Sequence, residues 1–336
     1  MSAGPAEVQV VELVGADGLR LRLLDIGATW WSLQVPVPGE PQPREVLLGG
    51  ATPDWHLRNH AYLGATVGRV ANRIAGAAID RDGQHWALQP QPGSPHQLHG
   101  GPDGYDRRRW QLCDRRTDSA SWTLHSPAGD QGFPGALDIA VTVTLCGGGV
   151  IEQQFQARCN APTPVCLTNH AYFNLDGRTG DVRRHRLQID ASHVAPVDDS
   201  LIPHGVLDPV DGGAFDFRTL RRIDDRAAGI YDHGLLLTPQ TRPMQHPAAV
   251  LVSADARLWM RLFTTMPSLQ LYTGGHLAGE PARDGGALAA HAGLALEPQW
   301  LPDSVHHPEW PQPPVWLLPG QVWQHTLRLA FDTPPA

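Results

Sequence analysis

The strongest periodic signal in the chain has period two. Over 137–145, Leu137, Ile139, Val141, Val143 and Leu145 alternate with Asp138, Ala140, Thr142 and Thr144. That is the pattern of a half-buried antiparallel strand. Gly147-Gly148-Gly149 supplies a turn and 150–157 runs back, which predicts a hairpin. A second hairpin is expected from 8–14 and 19–24 around Gly15-Ala16-Asp17-Gly18, with Leu19, Leu21 and Leu23 on one face and Arg20 and Arg22 on the other. Further strands are expected at 29–35, 85–89, 121–125, 164–169, 186–190, 234–238, 248–253, 257–264, 268–273, 292–297 and 322–331. Helical pattern is confined to 54–61 and 218–229. Thirty-five Gly and 31 Pro in 336 residues suit strands and turns better than long helices. The Pro-rich stretches 36–43, 89–95 and 308–314 are too short for linkers and read as surface loops. Many strands, no α-β alternation and no fixed repeat predict an all-β chain with few short helices. The expected form is one large antiparallel β-sandwich over 1–336, with a two-domain β protein as the alternative.

Composition removes several kinds of chemistry. No residue is Lys, so Schiff-base, pyridoxal-phosphate and P-loop lysines are excluded. Only eight residues are Glu, against 26 Asp, so a catalytic Glu has few candidates. A net charge of −8 without a basic run argues against nucleic acid as partner. The first residues, MSAGPAEVQVVELVG, show no targeting pattern, and no apolar run suits a membrane span. Cys113, Cys146, Cys159 and Cys166 form no C-x-x-C pair and are expected as reduced, mostly buried thiols of a cytoplasmic protein.

Polar side chains gather in four segments. In LTNHAYFNLDG (167–177), Asn169, His170, Tyr172 and Asn174 follow an apolar strand. A solvated strand end explains them, and so does a cleft holding a histidine able to move protons near neutral pH. In LEPQWLPDS (296–304), Glu297 ends an apolar stretch and reads equally as an ion-pair partner or a base. In GATVGRVANRIAG (64–76), the glycines surround Arg69, Asn72 and Arg73. This is a turn with surface arginines, or a loop whose backbone approaches a ligand while Asn72 and Arg73 donate to it. In HQLHGGPDGYDRRRW (96–110), His96 and His99 lack a third metal ligand at convincing spacing, as do His56, His60, His306 and His307.

Together these segments resemble the aldose 1-epimerase (galactose mutarotase) family. The matching blocks are GATVGRVANRIAG, LHGGPDGYDRRRW, SPAGDQGFPG, LTNHAYFNLDG, HVAPVDDSLIPHG, YDHGLLL, LQLYTGG and LEPQWLPDS, in the family's order and over most of the chain. The resemblance implies a galactose mutarotase-like supersandwich and an isomerase that interconverts the α and β anomers of a free aldose such as glucose or galactose. It implies a small-molecule sugar as partner, with no cofactor, metal, nucleic acid or membrane, acting as monomer or homodimer. It further implies His170 and Glu297 as the acid and base, with Asn72, Arg73, His99, Tyr172, Asp232 and Gln270 binding the sugar. Three rivals stand beside it. A hexose-6-phosphate 1-epimerase would need an arginine cluster such as Arg107-Arg108-Arg109, Arg183-Arg184 or Arg221-Arg222. A non-catalytic sugar-binding domain would not need an acid–base pair. A metal-dependent β-barrel enzyme would use the histidine clusters.

Overall fold

The computed structural model describes residues 7–58, 60–177, 180–226, 229–237 and 244–332. The hairpin predicted from period two forms as Leu137–Gly147 and Val150–Cys159, and its alternation is the burial pattern itself: Leu137, Ile139, Val141, Val143 and Leu145 are buried while Asp138 is exposed. The first hairpin forms as Val10–Val14 with Arg20–Leu24, its leucines inward and its arginines outward. Every expected strand has a counterpart within a few residues, although 164–169 breaks into two short pieces, Thr163–Pro164 and Thr168–Asn169. All pairings between named strands are antiparallel.

Three sheets carry the architecture. A nine-stranded sheet runs from Gln111–Arg115 at one edge to Arg221–Arg222 at the other. At its centre lies the last strand, Trp323–Asp332, between Val150–Cys159 and Trp259–Thr264, so the C-terminal segment joins the two halves of the sheet. A six-stranded sheet has the order Tyr172–Phe173, Leu294–Gln299, Ser268–Tyr272, Asp232–Leu237, Ala191–Val194, Asp208–Pro209. A four-stranded sheet holds the N-terminal hairpin with Thr29–Val35 and Arg44–Glu45. One contiguous core joins all three. It takes Leu21 and Leu33 from the four-stranded sheet, Leu269, Leu271, Leu294 and Leu296 from the six-stranded sheet, and Val141, Phe155 and Leu329 from the nine-stranded sheet. The expected β-sandwich is therefore the observed layering.

Three expectations are corrected. The helix at 54–61 is a single 3-10 stretch, Pro53–Arg58. The helix at 218–229 is instead the edge strand Arg221–Arg222 followed by the 3-10 turn Ile223–Asp225. Arg221 is recruited by the Asp216 and Ala214 carbonyls, which overrides the weak helical pattern. Of the four thiols only Cys166 is buried. Cys146 sits on the solvent side of an alternating strand, and Cys113 lies at a register break of the mostly exposed edge strand Gln111–Arg115. All four are free. Residues 1–6, 227–228 and 238, which the targeting, helix and strand readings included, lie outside the described residues.

Arg69, read as a surface side chain, is 1 % exposed. Its guanidinium donates to the Pro134 and Gly135 carbonyls at 2.8 Å, to Thr163 Oγ1 at 2.9 Å and to Ser126 Oγ at 2.6 Å, while Nε reaches the Tyr105 hydroxyl at 3.2 Å. One planar fork thus ties four loops together beneath the segment that carries Asn72 and Arg73. Arg69→Met keeps the stem but leaves these buried acceptors unpaired. It should lower the unfolding free energy by about 3–5 kcal/mol, read by urea denaturation; a loss under about 1 kcal/mol would show the fork to be dispensable.

Candidate functional site

The six-stranded sheet has one face in the main core and turns the other toward a cavity of about 340 Å³. Period two assigns the residues. On Leu294–Gln299 the even positions Leu294 and Leu296 enter the core, which leaves Glu297 on the cavity face. Register then aligns the neighbours: Gln270 faces Glu297, Tyr272 faces both Ala295 and Asp232, and Tyr172 faces Ala295 from the other side. The strands are buried on both faces, so Glu297 is 1 % exposed in the middle of a fully buried run.

The opposite wall is made of loops in which Tyr62, Asn72 and His99 all adopt positive φ, at 57°, 64° and 51°. Asn72 and His99 hold one another. His99 N–H donates to the Asn72 carbonyl at 3.0 Å, and Asn72 N–H donates to His99 Nδ1 at 3.1 Å. Because Nδ1 accepts, the neutral ring carries its hydrogen on Nε2. Burial and the neighbouring His170 and Arg73 hold His99 well below the usual histidine range, so it stays neutral. The short pairing of Arg73–Ile74 with Gln97–Leu98 fixes the loop, and Arg73 N–H donates to Asn72 Oδ1 at 2.8 Å. Among the described residues the Arg73 guanidinium has no hydrogen bond or ion pair, and it lines the cavity.

His170 and Glu297 meet across the floor. Nε2 of His170 lies 3.5 Å from Oε1 of Glu297, and both are buried. Tyr62, His99 and Tyr172 surround the imidazole, with ring centres 5.7, 5.1 and 4.8 Å away. Burial pushes His170 down to about 4 and pushes Glu297 well above its ordinary value; Asp232 adds to the Glu297 shift by repulsion and Arg73 opposes it. Neither the ionised carboxylate at an ordinary value nor the charged imidazole is favoured in the dry site. Burial thus works against both charged forms of the pair. Glu297 Oε2 and His170 Nδ1 are buried and accept or donate no hydrogen bond within the protein. Burial also raises the Tyr62 and Tyr172 hydroxyls, which stay protonated.

Seven of the eight site residues expected from sequence line this cavity: His170, Glu297, Asn72, Arg73, His99, Tyr172 and Asp232. Gln270 does not. It lies 2 % exposed in the layer behind, where its Nε2 donates to Asp232 Oδ1 at 2.7 Å. The sequence reading missed Tyr62, Tyr272, His276 and Glu280, which complete the wall and rim. Tyr272 had a usable signal, since it lies two residues after Gln270 on the same strand face. Of the histidines weighed as ligands, His60 and His99 line the cavity, and among the described residues His99 alone joins His170 and Glu297 in a group presenting one donor atom each within 4.8 Å of the others. That set does not suit a cation. His99 Nδ1 is taken by Asn72 N–H, which places the ring hydrogen on Nε2 and leaves the neutral ring no free lone pair.

A sequence profile of the family described as Aldose 1-epimerase matches residues 9–330. The aldose 1-epimerase of Escherichia coli (strain K12) is 42% identical over 322 residues, covering 94% of this chain and 92% of that protein. Galactose mutarotase of Rattus norvegicus is 36% identical over 322 residues, with the same coverage of each chain. The crystal structure of an aldose epimerase homologue from C. elegans superposes with a TM-score of 0.90 at 29% identity, over 97% of this chain and 99% of that one.

The raised Glu297 value has a stability consequence. Its native state binds the proton more tightly than the unfolded chain, so its contribution is full below about pH 4.5 and is lost as pH rises. The depressed His170 works oppositely and weakens the fold as pH falls toward about 4. Glu297→Gln removes only the first dependence. Its melting temperature should match the parent near pH 4 and exceed it increasingly toward pH 8. A parent more stable than the variant at pH 8 would mean that Glu297 is an ionised, paired scaffold residue.

Proposed function

Since the chain belongs to the aldose 1-epimerase family, whose members are isomerases, we propose that this cavity opens and recloses the ring of a free aldose, with Glu297 and His170 moving the two protons. The observation that carries this reading is the buried His170–Glu297 pair at 3.5 Å in a cavity otherwise lined by hydroxyl-binding groups.

Opening a hemiacetal removes the proton from the anomeric hydroxyl and adds one to the ring oxygen. A pair that holds one proton can do both at once, because one member is always ready to accept and the other to donate. In the assigned direction the shared proton sits on His170 before transfer, so that the Glu297 carboxylate accepts the hydroxyl proton while the imidazolium of His170 donates to the ring oxygen. The unpartnered Glu297 Oε2 supplies the lone pair for that hydroxyl. A bound sugar replaces the hydrogen bonds that burial denied, which favours the charged form of the pair at the moment it is needed. Rotation about the bond to the anomeric carbon presents the other aldehyde face. Closure with the proton movements reversed gives the other anomer, and no bond to the enzyme or electron transfer is involved. Arg73, Asn72 and the Nε2–H of His99 are donors toward sugar oxygens, and Asp232 accepts through the oxygen that Gln270 leaves open.

A free sugar is favoured over a phosphorylated one by charge. Arg73 is the one arginine lining the cavity among the described residues, and Glu280 stands on the rim. The arginine runs are already paired: Arg108 with Asp130 and Asp103, Arg109 with Asp25, Arg183 with Asp181, and Arg222 with Asp224, while Arg107, which pairs with Asp106, bonds His60 on the cavity wall at 2.9 Å. No helix among the described residues is long and apolar enough to cross a membrane. The four free thiols support work in the cytoplasm, and one core containing both Val11 and Phe331 supports a single folding unit over 1–336.

Polarimetry on freshly dissolved α-glucose or α-galactose tests the chemistry. Glu297→Gln should lower kcat by about 10²–10⁴-fold, and His170→Asn should lose most of the rate. A Glu297→Gln enzyme within a few-fold of the parent would reassign Glu297 to the scaffold. Pre-treatment with a chelator should leave the parent's rate unchanged. Arg73→Ala should raise the sugar concentration needed for half-saturation about tenfold, the equivalent of ~1.4 kcal/mol, with little change in melting temperature. A large fall in melting temperature with unchanged saturation would overturn the binding role.

A further inference from the structure

Arg73 reaches the sugar side of the cavity without a protein partner for its guanidinium, so its position depends on how its backbone is held. Two of the bonds that hold it come from one residue outside the cavity wall. Asp303 N–H donates to the Arg73 carbonyl at 2.9 Å, and Asp303 Oδ1 accepts from Ala75 N–H at 2.9 Å. Asp303 is 5 % exposed and sits at φ 61°, a left-handed conformation that Asp tolerates. It lies six residues beyond Glu297, on the segment that leaves the strand Leu294–Gln299. The Arg73 loop and the Glu297 strand, far apart in the sequence, are therefore joined at this residue, through its backbone N–H to Arg73 and its carboxylate to Ala75.

The carboxylate is itself fixed. His306 Nδ1 lies 2.7 Å from Asp303 Oδ1, and the His306 ring also bonds the Ala78 carbonyl. The hydrogen bond to Asp303 raises the His306 pKa, partial burial opposes it, and Asp80 adds to the rise to a smaller extent. His307 approaches the other oxygen of Asp303 at 3.8 Å and is tied to Glu309 at 2.8 Å. His306 thus bridges Asp303 to the start of the strand Ala78–Arg81, directly after the Arg73 loop.

We propose that Asp303, braced by His306, is a positioning residue that sets Arg73 against Glu297, so that sugar binding rather than proton transfer depends on it. The inference rests on Arg73 contacting the sugar. Loss of the clamp frees the loop to sample positions in which Arg73 misses its hydroxyl, while Glu297 stays held by its strand and His170 by its backbone bonds to Gly64 and Ala65.

Polarimetric saturation curves on the intact enzyme separate the readings. Asp303→Ala should raise KM roughly five- to tenfold with kcat within about twofold, and Asp303→Asn, which keeps an oxygen acceptor for Ala75 N–H, should recover most of it. In the Arg73→Ala background, Asp303→Ala should add almost nothing, because the group it positions is gone. Full additivity of the two KM changes, or a fall in kcat at unchanged KM, overturns the clamp while leaving the site reading intact. An Arg73→Ala enzyme with unchanged KM overturns the site reading and the clamp with it. If Asp303→Ala does not fold, His306→Gln carries the same comparison, with a smaller KM rise that vanishes in the Arg73→Ala background; a rise that persists there overturns the proposal.

Discussion

A carboxyl group in the middle of a strand buried on both faces sets the terms for the rest of this molecule. Every residue of Leu294–Gln299 is buried, so Glu297 has no solvent to stabilise its charge and no arginine in contact to replace it. Desolvation and the nearby Asp232 favour the protonated carboxyl, and the same dryness favours neutral His170. The strand can hold such a group only because sheet pairing with Ser268–Tyr272 satisfies its backbone and the leucines of its other face anchor it in the main core. The cost of burying Glu297 is thereby spread over a sheet with ample apolar area, at a place where a ligand's hydroxyls can offset it.

The two walls of the cavity are built on opposite principles. The sheet wall is rigid and regular, and its residues are placed by register. The loop wall is irregular, and its residues are placed by special backbone conformations and by hydrogen bonds back to the chain. Gly100 shows how close that packing is. A Cβ there would lie 2.0 Å from the Gly68 carbonyl oxygen, so the histidine loop can lie on the Arg69 segment only through a glycine. Beneath it, Arg69 ties in loops from 126–135 and 163. Glu297 sits on the regular wall, whereas His170, between Thr168–Asn169 and Tyr172–Phe173, is held by backbone bonds to Gly64 and Ala65 of the irregular one, so the pair spans the two.

The nine-stranded sheet was legible because one of its faces meets solvent, which writes burial into the sequence as alternation. The site sheet was harder to read for the reason that makes it useful: Leu294–Gln299 is buried throughout and Ser268–Tyr272 in all but its last residue, and a continuously buried run carries no facing information. Family blocks rather than periodicity brought Glu297 forward. Of the residues so named, Gln270 alone stands off the cavity lining, since one strand's pattern cannot say whether a side chain spans the gap to a cavity or stops at Asp232. Tyr62 was invisible because nothing local distinguishes a loop tyrosine at φ 57° from any other. Arg69 misled because a lone arginine among glycines looks solvated, and its partners lie 36 to 94 residues away.

The protonation of the pair connects burial to turnover. An enzyme with an ionised Glu and a charged His at rest would hold a preformed ion pair at 3.5 Å, and that mutual attraction would have to be broken as each group turned to the substrate. Here burial works against both charges, and Oε2 of Glu297 is buried without a hydrogen bond within the protein. Charge separation across the pair then happens only when sugar oxygens are there to support it. The same arrangement serves both directions of an anomer exchange. Whichever face closes, the proton count in the cavity is unchanged, so product leaves a site already set for the next ring.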